Sequence, residues 1–493
     1  MSKEKTRNPG GPATSPEFTH PDAERNFSRR RFLDVAAAIG VAGLAAPAMG
    51  GGGHAMGAST REEPKSGASG EPYLNVRDFG ARGDGKTDDT VAVQRALDTA
   101  GRQGGNVVLL PTGRYLLAGE LDIPPETALK GIFQGPVSHG KLVFSDEGVP
   151  GAGTTLLALA GKGNEHGNPL ITLRDNASVT GLSIYYPEKD RNSRPVPYPW
   201  TIRLRGVNTT VENVEMLNPW RGIEGVAAHR HLIRNVTGQP IRTGIYVDDI
   251  GDIGRIENVQ FVPWWSQSRA VMDFTYHEGE SYVFGSSAWQ YVLNTFSYGY
   301  HIGYHFLENP KGSCNGNYLG IGADATWHAI KVDHAPSTAG LLITNGEFVS
   351  MSNEDVTVPG GLYFPDAHPA QIVVLPSHSG TVSFVNCAFW GPTHCVARIS
   401  GSGSVNFTSC IFRRWDVEDK GLPAIDLGGS VGGVLVSGCK FDQPTKQIRL
   451  GPKVAWAVIM GNLFRGGSKI ENLSRGDIQM GLNSAGAERL KNG

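Results

Sequence analysis

Short runs of alternating apolar and polar residues recur along most of the chain, with an asparagine at one fixed place in the run. Val211-Glu212-Asn213-Val214-Glu215-Met216, Ile233-Arg234-Asn235-Val236, Ile256-Glu257-Asn258-Val259-Gln260-Phe261, Ile343-Thr344-Asn345-Gly346-Glu347-Phe348 and Phe384-Val385-Asn386-Cys387-Ala388-Phe389 are copies. Later copies keep the frame without the asparagine: Phe407 to Phe412, Ser437 to Phe441 and Met460 to Phe464. Adjacent copies are 22 residues apart from Asn213 to Asn235 and 23 from Asn235 to Asn258. A second strand repeats in step, at Thr201-Leu204, Gly222-Glu224, Gly244-Asp248, Ala270-Asp273, Ala329-Asp333, Gln371-Val373, Ala424-Leu427 and Gln447-Leu450. Alternation places the isoleucine of each copy inward and the residue after it toward solvent. Units this small cannot bury a core alone, so like residues must stack coil on coil. The pattern predicts an all-β fold, a single-stranded right-handed parallel β-helix, with the asparagines bonding one another at a bend.

The apolar pattern changes toward the N-terminus. Val91 to Ala100 has helical periodicity, and Asp84-Gly85 ahead of it reads as a tight turn with Thr87 or Asp88 capping the helix. Residues 72–120 are therefore expected to form a lid with a capping helix, 121–465 the β-helix and 466–493 a polar tail. Ser28-Arg29-Arg30-Arg31-Phe32-Leu33 followed by a weakly apolar stretch reads as a twin-arginine signal over residues 1–48. Its apolar run is broken by Gly40, Gly43 and Pro47, well short of the roughly 20 residues that span a bilayer. Residues 49–71, rich in glycine, serine and charge, read as a linker. The expectation is an exported protein, periplasmic or extracellular, with no stable membrane insertion after signal cleavage.

Composition narrows the chemistry. Formal net charge is −2, and no basic stripe points to nucleic acid. Three of the five cysteines, Cys387, Cys410 and Cys439, share one repeat position and are expected to stack as free core thiols.

The stretch Asn75-Val76-Arg77-Asp78-Phe79-Gly80-Ala81-Arg82-Gly83-Asp84-Gly85-Lys86-Thr87-Asp88-Asp89-Thr90, with Gly104-Gly105-Asn106-Val107-Val108-Leu109-Leu110-Pro111 after the helix, resembles the opening of the pectate-lyase-like β-helix proteins, the superfamily of rhamnogalacturonases and family 28-related hydrolases. The resemblance implies a lid helix plugging the open end of the solenoid and a polysaccharide or oligosaccharide substrate. It makes Asp84, Asp88 and Asp89 caps rather than catalysts. The family's usual acids are missing: Gly222-Ile223 follows Pro219-Trp220-Arg221, and Gly244-Ile245 follows Ile241-Arg242-Thr243.

Candidate chemistry concentrates between Trp220 and Phe348. Glu224 and Asp248 lie on neighbouring coils two residues apart along the strand, roughly 8 Å by strand geometry, with Asp249 beside them. Asp324 and Glu347 form a second pair one coil apart. Paired carboxylates suit glycosidic hydrolysis, one as acid and one as base or nucleophile. Trp264, Trp265, Tyr246, His277, Tyr300, His301 and Lys331 are the expected substrate contacts, aromatic faces for sugar rings and polar groups beside them. A polysaccharide lyase or uronate epimerase, using the arginines, His301 and Lys331, is the alternative, and a non-catalytic glycan-binding solenoid a third. No cofactor is required for hydrolysis; Ca²⁺ enters on the lyase reading, with Asp248, Asp249 and Asp252 to hold it.

Overall fold

The computed structural model describes residues 73–139, 153–350 and 369–485. The twin-arginine segment and the linker lie outside them. Strands pair with their counterparts one coil on, in parallel, to give a 13-stranded sheet from Leu121–Ile123 to Ile470–Asn472 and a 27-stranded sheet. This is a parallel β-helix. Within the 13-stranded sheet, Ile202, Ile223 and Ile245 stand in register, and Ile330 stands in register with Ile372; all five are fully buried. The residues after the first four, Arg203, Glu224, Tyr246 and Lys331, are half-buried on the outer face, as the alternation requires.

The larger sheet bends at the asparagines, which all take left-handed backbone angles: φ is 54° at Asn213, 53° at Asn235, 51° at Asn258, 55° at Asn345 and 52° at Asn386. Three of the side-chain amides donate to the asparagine one coil back, Asn235 Nδ2 to Asn213 Oδ1 at 2.9 Å, Asn258 to Asn235 at 2.7 Å and Asn386 to Asn345 at 2.8 Å. Where the asparagine is lost, Ser409, Gly438 and Gly461 keep the same backbone sign. Just inside the bend runs a second polar ladder. All five cysteines are free and buried. The Cys387 thiol donates to the Val385 carbonyl and accepts from Gly346 N–H, and Cys439 accepts from Cys410 N–H. Asn462 and Asn483 take over this role in the last coils.

Two boundaries differ from the sequence reading. Ala270–Asp273 is not a strand but part of a helix, Arg269–Glu278, whose N-cap Ser268 accepts from Val271 N–H. Val271, Met272, Thr275 and Tyr276 give it a buried face, and the coil's strand is instead Glu280–Phe284, with Tyr282 where other coils carry isoleucine. The solenoid also runs one coil past 465: Ile470–Asn472 and Asp477–Gly481 both pair with the coil before. The first helix, Thr90–Arg102, buries Ala92, Val93, Ala96, Leu97 and Ala100 against the strands Leu74–Asn75, Val107–Leu109 and Leu121–Ile123. No helix among the described residues is long and apolar enough to cross a membrane.

Replacing Asn235 separates the two contributions of the bend. Asn235→Gly keeps the left-handed backbone and loses the amide pairs, costing about 1 kcal/mol. Asn235→Ala adds a conformational penalty of roughly 1–2 kcal/mol. Urea-unfolding midpoints should fall in the order wild type, Gly, Ala.

Candidate active site

The predicted site residues divide between the two sheets. On the 13-stranded sheet Glu224 sits between Arg203 and Tyr246 in register, and its carboxylate is ion-paired with the Arg203 guanidinium. Asp248 is one strand over, as the spacing predicts, but its carboxylate is already satisfied. It accepts from Tyr246 Oη (3.0 Å), Asp249 N (2.8 Å), Ser286 N (2.7 Å) and Asn309 Nδ2 (2.9 Å). That makes it a corner-holding residue rather than a proton carrier. Asp249, in a left-handed turn, is ion-paired with Lys311, and Asp252 with Arg230. These three acids turn to three separate sets of partners and form no cation cluster. Among the described residues no group of three His, Cys, Asp or Glu side chains is arranged to hold a metal ion.

Two expected sugar platforms are core residues. Trp265 is 1% and Tyr300 2% exposed, the latter donating to the Pro240 carbonyl. Their even spacing with polar neighbours concealed the turn of the chain at the helix Arg269–Glu278. Trp264 is half-buried. His277 packs edge-on to Trp327 at 5.5 Å, and His301 meets the same indole at 5.2 Å. His301 Nδ1 lies 2.9 Å from the Tyr276 carbonyl, and burial lowers its pKa. Lys331 belongs to an ion network, 3.1 Å from His305 Nε2 and 3.3 Å from Asp333. Burial alone would lower the His305 pKa, but Asp333 and Glu280 on its two nitrogens raise it.

Asp324 and Glu347 behave differently. Both line one open cavity of about 380 Å³ on the 27-stranded sheet, just beyond the asparagine bend, with Phe296, Asn345 and Trp390. Glu347 stands opposite Gly322, so Asp324 lies one strand over and two residues along, roughly 8 Å away. Immediately after Asp324 the register shifts, and Ala325 takes a left-handed φ of 51°. A bulge of this kind turns the neighbouring side chain out of the regular pleat. Burial and then the charge of Glu347 raise the Asp324 pKa, against a bond from the Ala325 N–H. The Trp390 indole, 41% exposed, donates from Nε1 to Glu347 Oε1 at 2.9 Å. Trp390 and Phe296 were missed in sequence because they look like ordinary strand residues; the in-register row through Glu347 was the signal.

Asp84 and Asp89, by contrast, hold turns: Asp84 accepts from Lys86 and Thr87 N–H, and Asp89, at the N-cap position but with no side-chain bond to the helix, accepts from Arg82 and Gly83 N–H in the preceding loop. Asp88 accepts from Thr90 N–H at the helix start.

A parallel β-helix with acids on its outer faces defines a class. Within it, residues 73–297 match the family described as rhamnogalacturonase A/epimerase, pectate lyase-like. That match ends before Asp324. Alginate lyase 7 of Azotobacter vinelandii is 60% identical over 45 residues, 9% of this chain and 5% of the relative. A probable glucan endo-1,3-beta-glucosidase of Arthroderma benhamiae is 38% identical over 79 residues, 16% of this chain and 9% of the relative. The chain thus spans less than a tenth of the length of these curated relatives. Among solved structures, the N-terminal fragment of bacteriophage Phi29 gene product 12 aligns with a TM-score of 0.53 at 13% identity, over 84% of this chain and 72% of that one. The likeness is one of fold.

The strained charge of Asp324 has a signature in stability. Its folded pKa is raised above the ordinary 3.8, so wild type is relatively most stable below that value and loses stability as pH rises through the folded pKa. Asp324→Asn escapes this. The melting-temperature difference, variant minus wild type, should be near zero or negative at pH 3 and become more positive by pH 7.

Proposed function

We propose that the protein is a glycoside hydrolase acting on a pectin-like or other polysaccharide, with Asp324 as general acid and Glu347 as general base. One observation carries the reading: two carboxyl groups, one with a raised pKa, share a cavity with an exposed indole. Asp324 is protonated over a wider pH range than an ordinary carboxyl and donates that proton to the leaving glycosidic oxygen. Glu347 keeps Oε1 on the Trp390 indole, leaving Oε2 to take a proton from the attacking water. Strand geometry sets the two backbones roughly 8 Å apart; carboxyl groups about 6.5–9.5 Å apart suit an inverting mechanism, and inversion of the product anomer is the expected outcome. Trp390 supplies a face for the sugar ring. Export rests on the twin-arginine segment alone.

A second reading, proton abstraction by a lyase or epimerase, is favoured by His301. Its Nδ1 is held at a carbonyl, burial keeps the ring neutral, and Trp327 stands beside it. This site sits in the bend just before the strand Ile302–Phe306 of the 13-stranded sheet, around the corner from Asp324, whose carbonyl accepts from Gly299 N–H.

Incubation with polygalacturonate, alginate and a β-1,3-glucan separates hydrolysis from elimination, and an epimerase would give neither signal. Hydrolysis releases reducing ends without ultraviolet absorbance from unsaturated uronates; elimination yields both signals. Asp324→Asn and Glu347→Gln should each lower kcat at least about 100-fold, with His301→Ala near wild type. Because the acid must be protonated, kcat/KM should fall as pH rises through the raised Asp324 pKa.

A further inference from the structure

The row that contains Glu347 is covered at one end by the chain itself. In register across seven coils it reads Ser183, Glu215, Thr237, Gln260, Phe296, Gly322 and Glu347. Gln260 and Glu347 are exposed, yet Ser183 and Glu215 are completely buried and Thr237 nearly so. The cover is the strap formed by residues 131–139, which leaves the strand Ala128–Lys130 and crosses the outer face of the sheet.

The strap is bound at several points along its length. Gly131 N–H donates to the Thr180 carbonyl at 2.8 Å and Phe133 N–H to Gly181 at 3.1 Å. The contact is backbone to backbone: a Cβ on Gly181, which has φ of 70°, would meet the Phe133 carbonyl oxygen at 2.4 Å. Asn213 Nδ2 donates to the Gln134 carbonyl and Thr237 Oγ1 to that of Val137. At its far end His139 gives both its backbone N–H and its ring Nδ1 to Glu215, and Ser183 Oγ donates to the same carboxylate at 2.9 Å. A buried carboxylate with three bonds from this segment and its surroundings is a fixed clamp, since releasing it would leave an unpaired buried charge.

We propose that this strap closes one end of the glycan groove and makes the enzyme exo-acting. The proposal rests on the assignment of Asp324 and Glu347. From the Thr237 row to the Glu347 row is four strand spacings, roughly 19 Å, so a glycan lying across the coils has room for a short terminal stretch before it meets the strap. On the other side of Glu347 the row continues through Ala388, Ile411, Lys440 and Leu463, all at least partly exposed, where the remainder of a polymer can extend. A chain end enters, stops at the strap and is cut at a fixed distance from it.

The test uses the full chain on polygalacturonate, alginate and a β-1,3-glucan, following viscosity, reducing ends and product length together. Wild type should release one short oligosaccharide from the first time point, with viscosity nearly unchanged while reducing ends accumulate. A double substitution, His139→Gly with Thr237→Val, removes the side-chain bonds that hold the strap's outer half; faster hydrogen exchange over 131–139 with a melting transition that stays cooperative, even if lowered, verifies that it folds and that the strap is loose. Its products should spread to mixed lengths and its viscosity loss per reducing end should rise. Random-length products from wild type, or a single product retained after verified release, would overturn the strap's role alone. Absence of bond cleavage by wild type, or cleavage that survives Asp324→Asn, would instead remove the hydrolase assignment beneath it.

Discussion

Everything in this structure depends on one recurring backbone conformation, a left-handed residue at the bend of each coil. Most side chains resist it, and asparagine tolerates it because its amide bonds locally. Here the amide does more, linking Asn213, Asn235 and Asn258 into a chain of hydrogen bonds parallel to the solenoid axis. Because the bend recurs at the same place in each coil, the residues before and after it are brought into register. Ser409, Gly438 and Gly461 show which part is indispensable: the amide can go, but the sign of φ stays.

Register then decides the electrostatics. A carboxylate on such a face is either supplied with donors by the neighbouring coil or left with its own charge. Asp248 receives four hydrogen bonds and Asp89 two from backbone N–H groups. Asp324 has an Ala325 N–H and a carboxylate neighbour, which is why burial and Glu347 raise it. Each pKa unit corresponds to about 1.4 kcal/mol, so holding an under-supplied acid beside another costs stability that the fold tolerates at this place. Ala325, a left-handed alanine where the register slips, is a second local cost at the same spot. The two costs fall in adjacent residues, Asp324 on the wall of the cavity and Ala325 buried behind it, the kind of clustering that local strain shows at functional places.

The architecture was legible because it is written in short-range terms. The inward isoleucines, the asparagine bends and the stacked Cys387, Cys410 and Cys439 all follow from alternation and repeat spacing, and all appear as read. The helix Arg269–Glu278 was not, since Ala270-Val271-Met272-Asp273 satisfies a strand pattern and only Ser268 signals otherwise. For the site, spacing correctly put Glu224 near Asp248 and Asp324 near Glu347. It was blind to what else reaches each carboxylate. Asn309, 61 residues from Asp248, helps satisfy it, and such long-range partners leave no trace in local sequence. Trp265 and Tyr300 failed for the related reason that an aromatic on a strand looks the same whether its face is covered or open.

Cover also explains the contrast between Glu215 and Glu347. The two occupy equivalent places after an asparagine bend, with the same backbone, the same outward direction and the same chemistry. Over Glu215 lies the strap, and its carboxylate serves only to hold His139 and Ser183. Over Glu347 the face is open, and the carboxylate meets an indole on one oxygen and leaves the other to solvent. A repeat that sets every outer residue to the same geometry cannot itself distinguish a clamped carboxylate from an open one. The distinction comes from the segments that leave the coils, which is where a solenoid with a uniform core can acquire a particular site.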